Sequence, residues 1–195
     1  MKKIIIWWSA TKLSFWLTYF VSRVANKVHD TLWPGLPVPR YGTVIQAVQR
    51  LNLLVWSADV VEAFGLKIKH GWMRSAEWVE RKIRTGLKFQ TDCDEFAIYA
   101  AKMLQFVPGV FDVKVLTLRW VDAFGDLSGH NTCVFSYMNE DQEKRYGTLC
   151  NWGLKKDYSS MEEAALFFVK ASKGTMIAYA TATEDLKFLS HVKYE

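Results

Sequence analysis

Cys93 stands between two aspartates in TDCDEFAIYAAKML (residues 91–104), with Glu95 close behind and an apolar, alanine-containing run after it. Thr91 or Asp92 can cap a helix that begins at the cysteine. The sulfur then falls in the first turn, where unpaired backbone N–H groups and the helix dipole favour a thiolate, the nucleophilic form. On that helix Cys93, Ala97, Ala100 and Leu104 share one face, which turns the thiol toward the protein. Asp92, Asp94 and Glu95 act the other way, because carboxylates facing a thiol raise its pKa, so a positive partner is required. The plainer alternative is a buried structural cysteine that happens to open a helix.

The chain has four histidines: His29 in a basic N-terminal segment, His70 in KHGW, His191 near the C-terminus, and His130 directly after Ser128 and Gly129. His130 heads a predicted strand, and an imidazole held at the rim of a sheet can take a proton from a thiol and return it to a leaving group. It also reads as an ordinary strand residue. Asn151 ends the following predicted strand, and its amide oxygen suits the third role, orienting the imidazole. A hairpin through NEDQEK makes His130 and Asn151 expected neighbours, although Asn151 in NWG also fits a turn. Zinc competes for the same residues. His130 and Cys133, three apart on a strand, point to opposite faces, and no CxxC or HxxxH occurs, which disfavours a metal site.

The elements that must place these groups fall into two halves. Residues 4–30 read as helix, and LWPGLPVPRYG, with three of the four prolines, breaks the pattern. Val44 to Phe64 again looks helical. Ser75 is a candidate N-cap and Gly86 a candidate stop for a short helix between them. DVKVLTLRWV, NTCVFSYM and EKRYGTLCNW are rich in β-branched and aromatic residues and read as three antiparallel strands. SSMEEAALFFVKASKG carries a complete set of helix start and stop signals, and TMIAYATAT reads as a last strand. Helices first and strands afterwards is an α+β order.

The length of 195 residues and 50% apolar content support one folded domain, expected over residues 41–195, preceded by a helical, basic, Trp-rich segment over 1–40. The net charge of +5 is all N-terminal: residues 1–60 hold seven Lys or Arg against Asp30 and Asp59, and the rest is balanced. Trp7, Trp8, Trp16, Trp33 and Trp56 lie there too. For residues 1–33 that composition suits either core packing or contact with a membrane surface or acidic partner. Nothing in it suggests nucleic acid as the partner. Lys12 interrupts the run Ile4 to Val21, and no A-x-A site follows, so neither a cleaved signal nor a spanning helix is expected. The expected location is cytoplasmic or peripheral to a membrane. Cys93, Cys133 and Cys150 cannot all pair within the chain, which favours a reducing compartment or a functional thiol.

WMRSAEWVERKIRTGLKFQTDCDEFAIYAAKML resembles the nucleophile region of the transglutaminase-like cysteine proteinase superfamily, whose bacterial members carry a GDCeDfA-like motif. GHNTCVFSYMNEDQEKRYGTLCNWG resembles its histidine strand and the strand after it. The resemblance covers roughly residues 70 to 153. It implies a papain-like core with the nucleophile helix packed on an antiparallel sheet, and the roles of nucleophile for Cys93, base and acid for His130, and orienter for Asn151. Gln90 or Trp72 would supply an oxyanion donor, and Asp92, Asp94 and Glu95 would be calcium candidates. The implied activity is thiol-dependent acyl transfer from a protein or peptide substrate, as cysteine peptidase, amidase or transglutaminase. The other reading is a non-catalytic structural or interaction module. Cys150 stands where the bacterial branch has an aspartate, and Thr91 where it has a glycine. The resemblance extends to small bacteriophage proteins, so a viral source is an expectation.

Overall fold

The computed structural model describes the backbone of residues 2–56, 61–63, 66–68, 73–85 and 90–194. Two helices, α1 (Lys2–Ser9) and α2 (Lys12–Leu32), replace the single helix expected over 4–30. The break is a capping event: Thr11 is extended and its hydroxyl accepts the Ser14 N–H, starting a new helix. The two axes bend by 67°. On its inner side α2 buries Phe15, Tyr19 and Ser22, one stripe at three- and four-residue spacing.

The proline-rich segment then folds back across α4 (Ala76–Arg84). Leu36 donates its N–H to the Glu77 carbonyl at 2.9 Å, and Arg81 donates to the Pro34 carbonyl at 2.5 Å. A Cβ on Gly35 would lie 2.5 Å from the Glu77 carbonyl carbon, so only glycine permits this approach. Ser75 caps α4 as expected, accepting the Trp78 N–H. Gly86, the expected stop, lies outside the described residues.

The helix expected over Val44 to Phe64 is shorter: α3 (Val44–Leu51) ends at Asn52, and β1 (Val55–Trp56) and β2 (Val61–Ala63) follow, with β2 paired to β3 (Leu66–Ile68). Valine- and tryptophan-bearing sequence favours the pleated strand over a continued helix. β4 (Gln90–Thr91) runs parallel to β1, and the Thr91 hydroxyl donates to the Val55 carbonyl at 2.8 Å. This short pairing fixes the entry to α5 (Cys93–Leu104).

The three expected strands are β5 (Val110–Val121), β6 (Leu127–Met138) and β7 (Lys144–Cys150). β8 (Gly153–Tyr158) and β10 (Phe188–Lys193) add two edges that the sequence reading did not include. With β9 (Thr175–Ala182) they form a six-stranded antiparallel sheet of order β10-β9-β5-β6-β7-β8. One face carries α5, joined by Phe15 and Tyr19 of α2 and by residues of α3 and α4. The other carries α6 (Met161–Ala171), capped by Ser160, whose Phe168 and Val169 pack on Leu118, Val134 and Cys150.

A buried ionic cluster clamps three helices together. The Glu80 carboxylate, 0% exposed, receives Arg50 Nη2 at 2.7 Å, Arg84 Nε at 2.5 Å and the Tyr99 hydroxyl. A buried carboxylate persists only when paired and hydrogen-bonded, and here α3, α4 and α5 each supply part of the shell. The architecture is α+β, with the helix that Cys93 opens packed on an antiparallel sheet.

Candidate functional site

The acidic residues around Cys93 first make the helix. Asp92 accepts the Asp94 N–H at 2.9 Å, and Glu95 Oε2 accepts the Asp92 N–H at 3.0 Å, forming a capping box. The Arg74 guanidinium stands 3.7 Å from the Glu95 carboxylate. Asp94 turns onto the sheet. It receives the amide of Asn131 and the Cys93 thiol, the latter at 3.6 Å.

Asn131 sits in β6 and in turn accepts the Thr117 hydroxyl from β5. Thr117 accepts the Tyr19 hydroxyl at 2.6 Å. A polar line therefore runs from α2 through β5 and β6 to the start of α5. Beside it the Arg119 guanidinium lies over the Phe15 ring at 5.6 Å, and its Nε is buried without a hydrogen-bond partner among the described residues.

His130 precedes Asn131, and successive strand residues face opposite ways. Its ring lies on the α6 face, 4.9 Å from the Phe168 ring and 5.2 Å from Trp152, with Nε2 3.3 Å from Cys150 Sγ. Cys133 lies in the core on the α5 face, so the expected divergence of His130 and Cys133 is found. Asn151 lies in the turn that joins β7 to β8, beyond the last β6–β7 pair Cys133↔Leu149. Asn151 Oδ1 is buried without a partner among the described residues. Cys93 and Asn131 thus belong to one face, and His130 with Cys150 to the other. Trp72 lies outside the described residues, as does the side chain of Gln90.

The electrostatics follow from this placement. Burial, then the Asp94 and Asp92 charges, push the Cys93 thiol well above its ordinary value. Burial and the Asp92 charge push Asp94 up to about 7, against the opposing pull of Asn131 and Arg119. Glu95 is pushed up to about 10, by burial first and by Asp92 second. Burial pushes His130 down to about 4, so its ring is neutral where a thiolate partner would need it charged. Burial also raises the Cys150 thiol. The His130–Cys150 contact is a hydrogen bond between neutral groups.

Donor atoms of Asp92, Cys93 and Asp94 lie within 4.8 Å of one another. Of the calcium candidates, Glu95 is turned to the Asp92 N–H and Arg74, and Asp92 and Asp94 with Cys93 between them do not fit that ion. That cation takes six to eight oxygens, whereas a thiol stands among these groups and both carboxylates already hold N–H donors. In the α5-face arrangement Cys93 is a protonated thiol bonded to a carboxyl, with an amide where a base would stand.

Sequence reasoning missed Asn131, Thr117, Tyr19 and Arg119. Set against known proteins, the chain matches no family model and no curated sequence.

Proposed function

We propose that this chain is a non-catalytic interaction module: a domain of the papain-like, transglutaminase-like kind that docks through its helical N-terminal segment and performs no acyl transfer. One observation carries the reading. The β6 residue bonded to the start of the Cys93 helix is Asn131, which cannot accept the thiol proton as a base does, while His130 is packed against Phe168 and Cys150 on the other face. The raised pKa of Cys93 supports it, because the thiol is a poor nucleophile while protonated.

The test is iodoacetamide labelling of Cys93 at neutral pH, read by peptide mass spectrometry, in the wild type and in Asn131→His. The reading expects slow wild-type labelling and faster labelling once an imidazole stands on the thiol's face. Fast wild-type labelling, or cleavage of a peptide amide that Cys93→Ser abolishes, would restore thiol-dependent acyl transfer. The wild-type arm decides even if the Asn131→His protein does not fold.

A further inference from the structure

The outer surface of α2 is apolar where a helix packed on a soluble core is ordinarily polar. Leu13, Leu17, Phe20, Val24 and Val28 follow one another at three- and four-residue steps, opposite the buried stripe of Phe15, Tyr19 and Ser22, and all five are exposed. α1 continues the surface with Ile4, Ile5, Trp7 and Trp8, of which Ile4 is 69% and Trp7 61% exposed. Lys12, Arg23 and Lys27 line one edge of α2, and the first carboxylate in the chain is Asp30.

We infer that this face lies on the surface of an anionic lipid bilayer, with α2 in the plane of the interface. Charge selects the occupant. Arg23 and Lys27 share a pocket with Asp30, Glu77, Glu184 and Asp185, but Lys3 and Lys12 flank the elbow between α1 and α2, where a second copy would bring like charges together and acidic headgroups complement them directly. Residue type agrees: indoles beside lysines, over an aliphatic stripe, is the composition of interfacial helices. Geometry sets the orientation. Among the described residues no single helix is long and apolar enough to cross a membrane, and α1 and α2, which reach that length only as a pair, are bent by 67°. Phe15 and Tyr19 remain in the protein core, which leaves only the outer face for lipid. The elbow is held by His191, whose Nε2 lies 2.9 Å from the Ala10 carbonyl, and the far part of α2 by Asn26, which donates to the Met73 carbonyl at 2.8 Å. The surface is therefore a fixed platform and not a loose arm.

This inference rests on the docking half of the proposed function and names its partner. The test is co-sedimentation of the full chain with vesicles of phosphatidylcholine alone and of an equimolar phosphatidylcholine–phosphatidylserine mixture, at low and high salt. Binding to the mixed vesicles is expected to be at least about tenfold tighter than to the neutral ones, as a few interfacial cations provide. It should weaken at high salt and be lost in Leu17→Glu/Val24→Glu, exposed positions whose replacement should leave the circular dichroism unchanged. Trp7→Ala/Trp8→Ala, on the other helix, should weaken it as well. The inference is overturned by absence of binding at low salt, by equal binding to both vesicle types, or by binding that neither double variant affects. A lipid-independent dimer that Leu17→Glu/Val24→Glu dissolves would also overturn it, assigning the face to a second copy. None of these outcomes bears on Cys93 labelling, so the two readings fail separately.

Discussion

Nε2 of His130 lies 3.3 Å from Sγ of Cys150, on the face of the sheet opposite the one that Cys93 approaches. A step of one residue along β6 separates this contact from the Asn131–Asp94 bond beside the thiol. The two faces hold different chemistry: a neutral imidazole–thiol pair among aromatic rings, and a polar line that ties α2 to α5. Because a strand side chain cannot change face without a change of register, the separation is built into the pairing of β5, β6 and β7.

Glu80→Gln should destabilise the protein by about 3 kcal/mol in urea unfolding. The substitution leaves Arg50 and Arg84 directed at a neutral group in a site from which the carboxylate side chain is fully excluded from solvent. Arg84→Ala should cost less, since that guanidinium is partly in water and Arg50 still pairs with Glu80.

Asp94→Asn should stabilise the protein at neutral and higher pH and lose that advantage in acid. The carboxyl titrates at about 7 when folded against 3.8 as the ordinary value, so its unfavourable ionisation accumulates as pH rises from 3.8 through 7. The gain expected above pH 7 is about 2–4 kcal/mol, and asparagine keeps an oxygen for Asn131. Urea unfolding of both proteins across this range provides the check.

His130→Leu should show the reverse dependence. The buried ring titrates at about 4 against an ordinary 6.5, so neutral His130 is retained above pH 6.5 without loss, and the wild type loses stability as pH falls from 6.5 to 4. Relative to the leucine variant the wild type should lose about 2–3 kcal/mol over that window. A difference independent of pH would contradict the buried, neutral assignment.

Much of the framework was legible. Asp92 and Glu95 announce the start of α5, Ser160 and the early glutamates announce α6, and the β-branched runs announce β5 to β7. Each signal is local, resting on caps or on side-chain shape. The face of His130 was not legible, because β6 is buried on both sides from His130 to Ser136 and shows no polar–apolar alternation to set its parity. Asn131 looked like a bystander for the same reason. β8 and β10 escaped because edge strands half in water carry lysines and polar residues, GLKKDY and FLSHVK, in place of an apolar run. The break between α1 and α2 needed Thr11 to be recognised as a cap inside an apolar stretch.

The most direct measurement is the pH dependence of iodoacetamide labelling at Cys93 in the wild type and in His130→Ala. Cys93 should react only well above the ordinary thiol range of about pH 8.5, and removing His130 should leave the curve unchanged. Labelling that proceeds well below that range and disappears with His130 would mean that the two residues form an ion pair. That result would contradict their placement on opposite faces and the non-catalytic reading built on it.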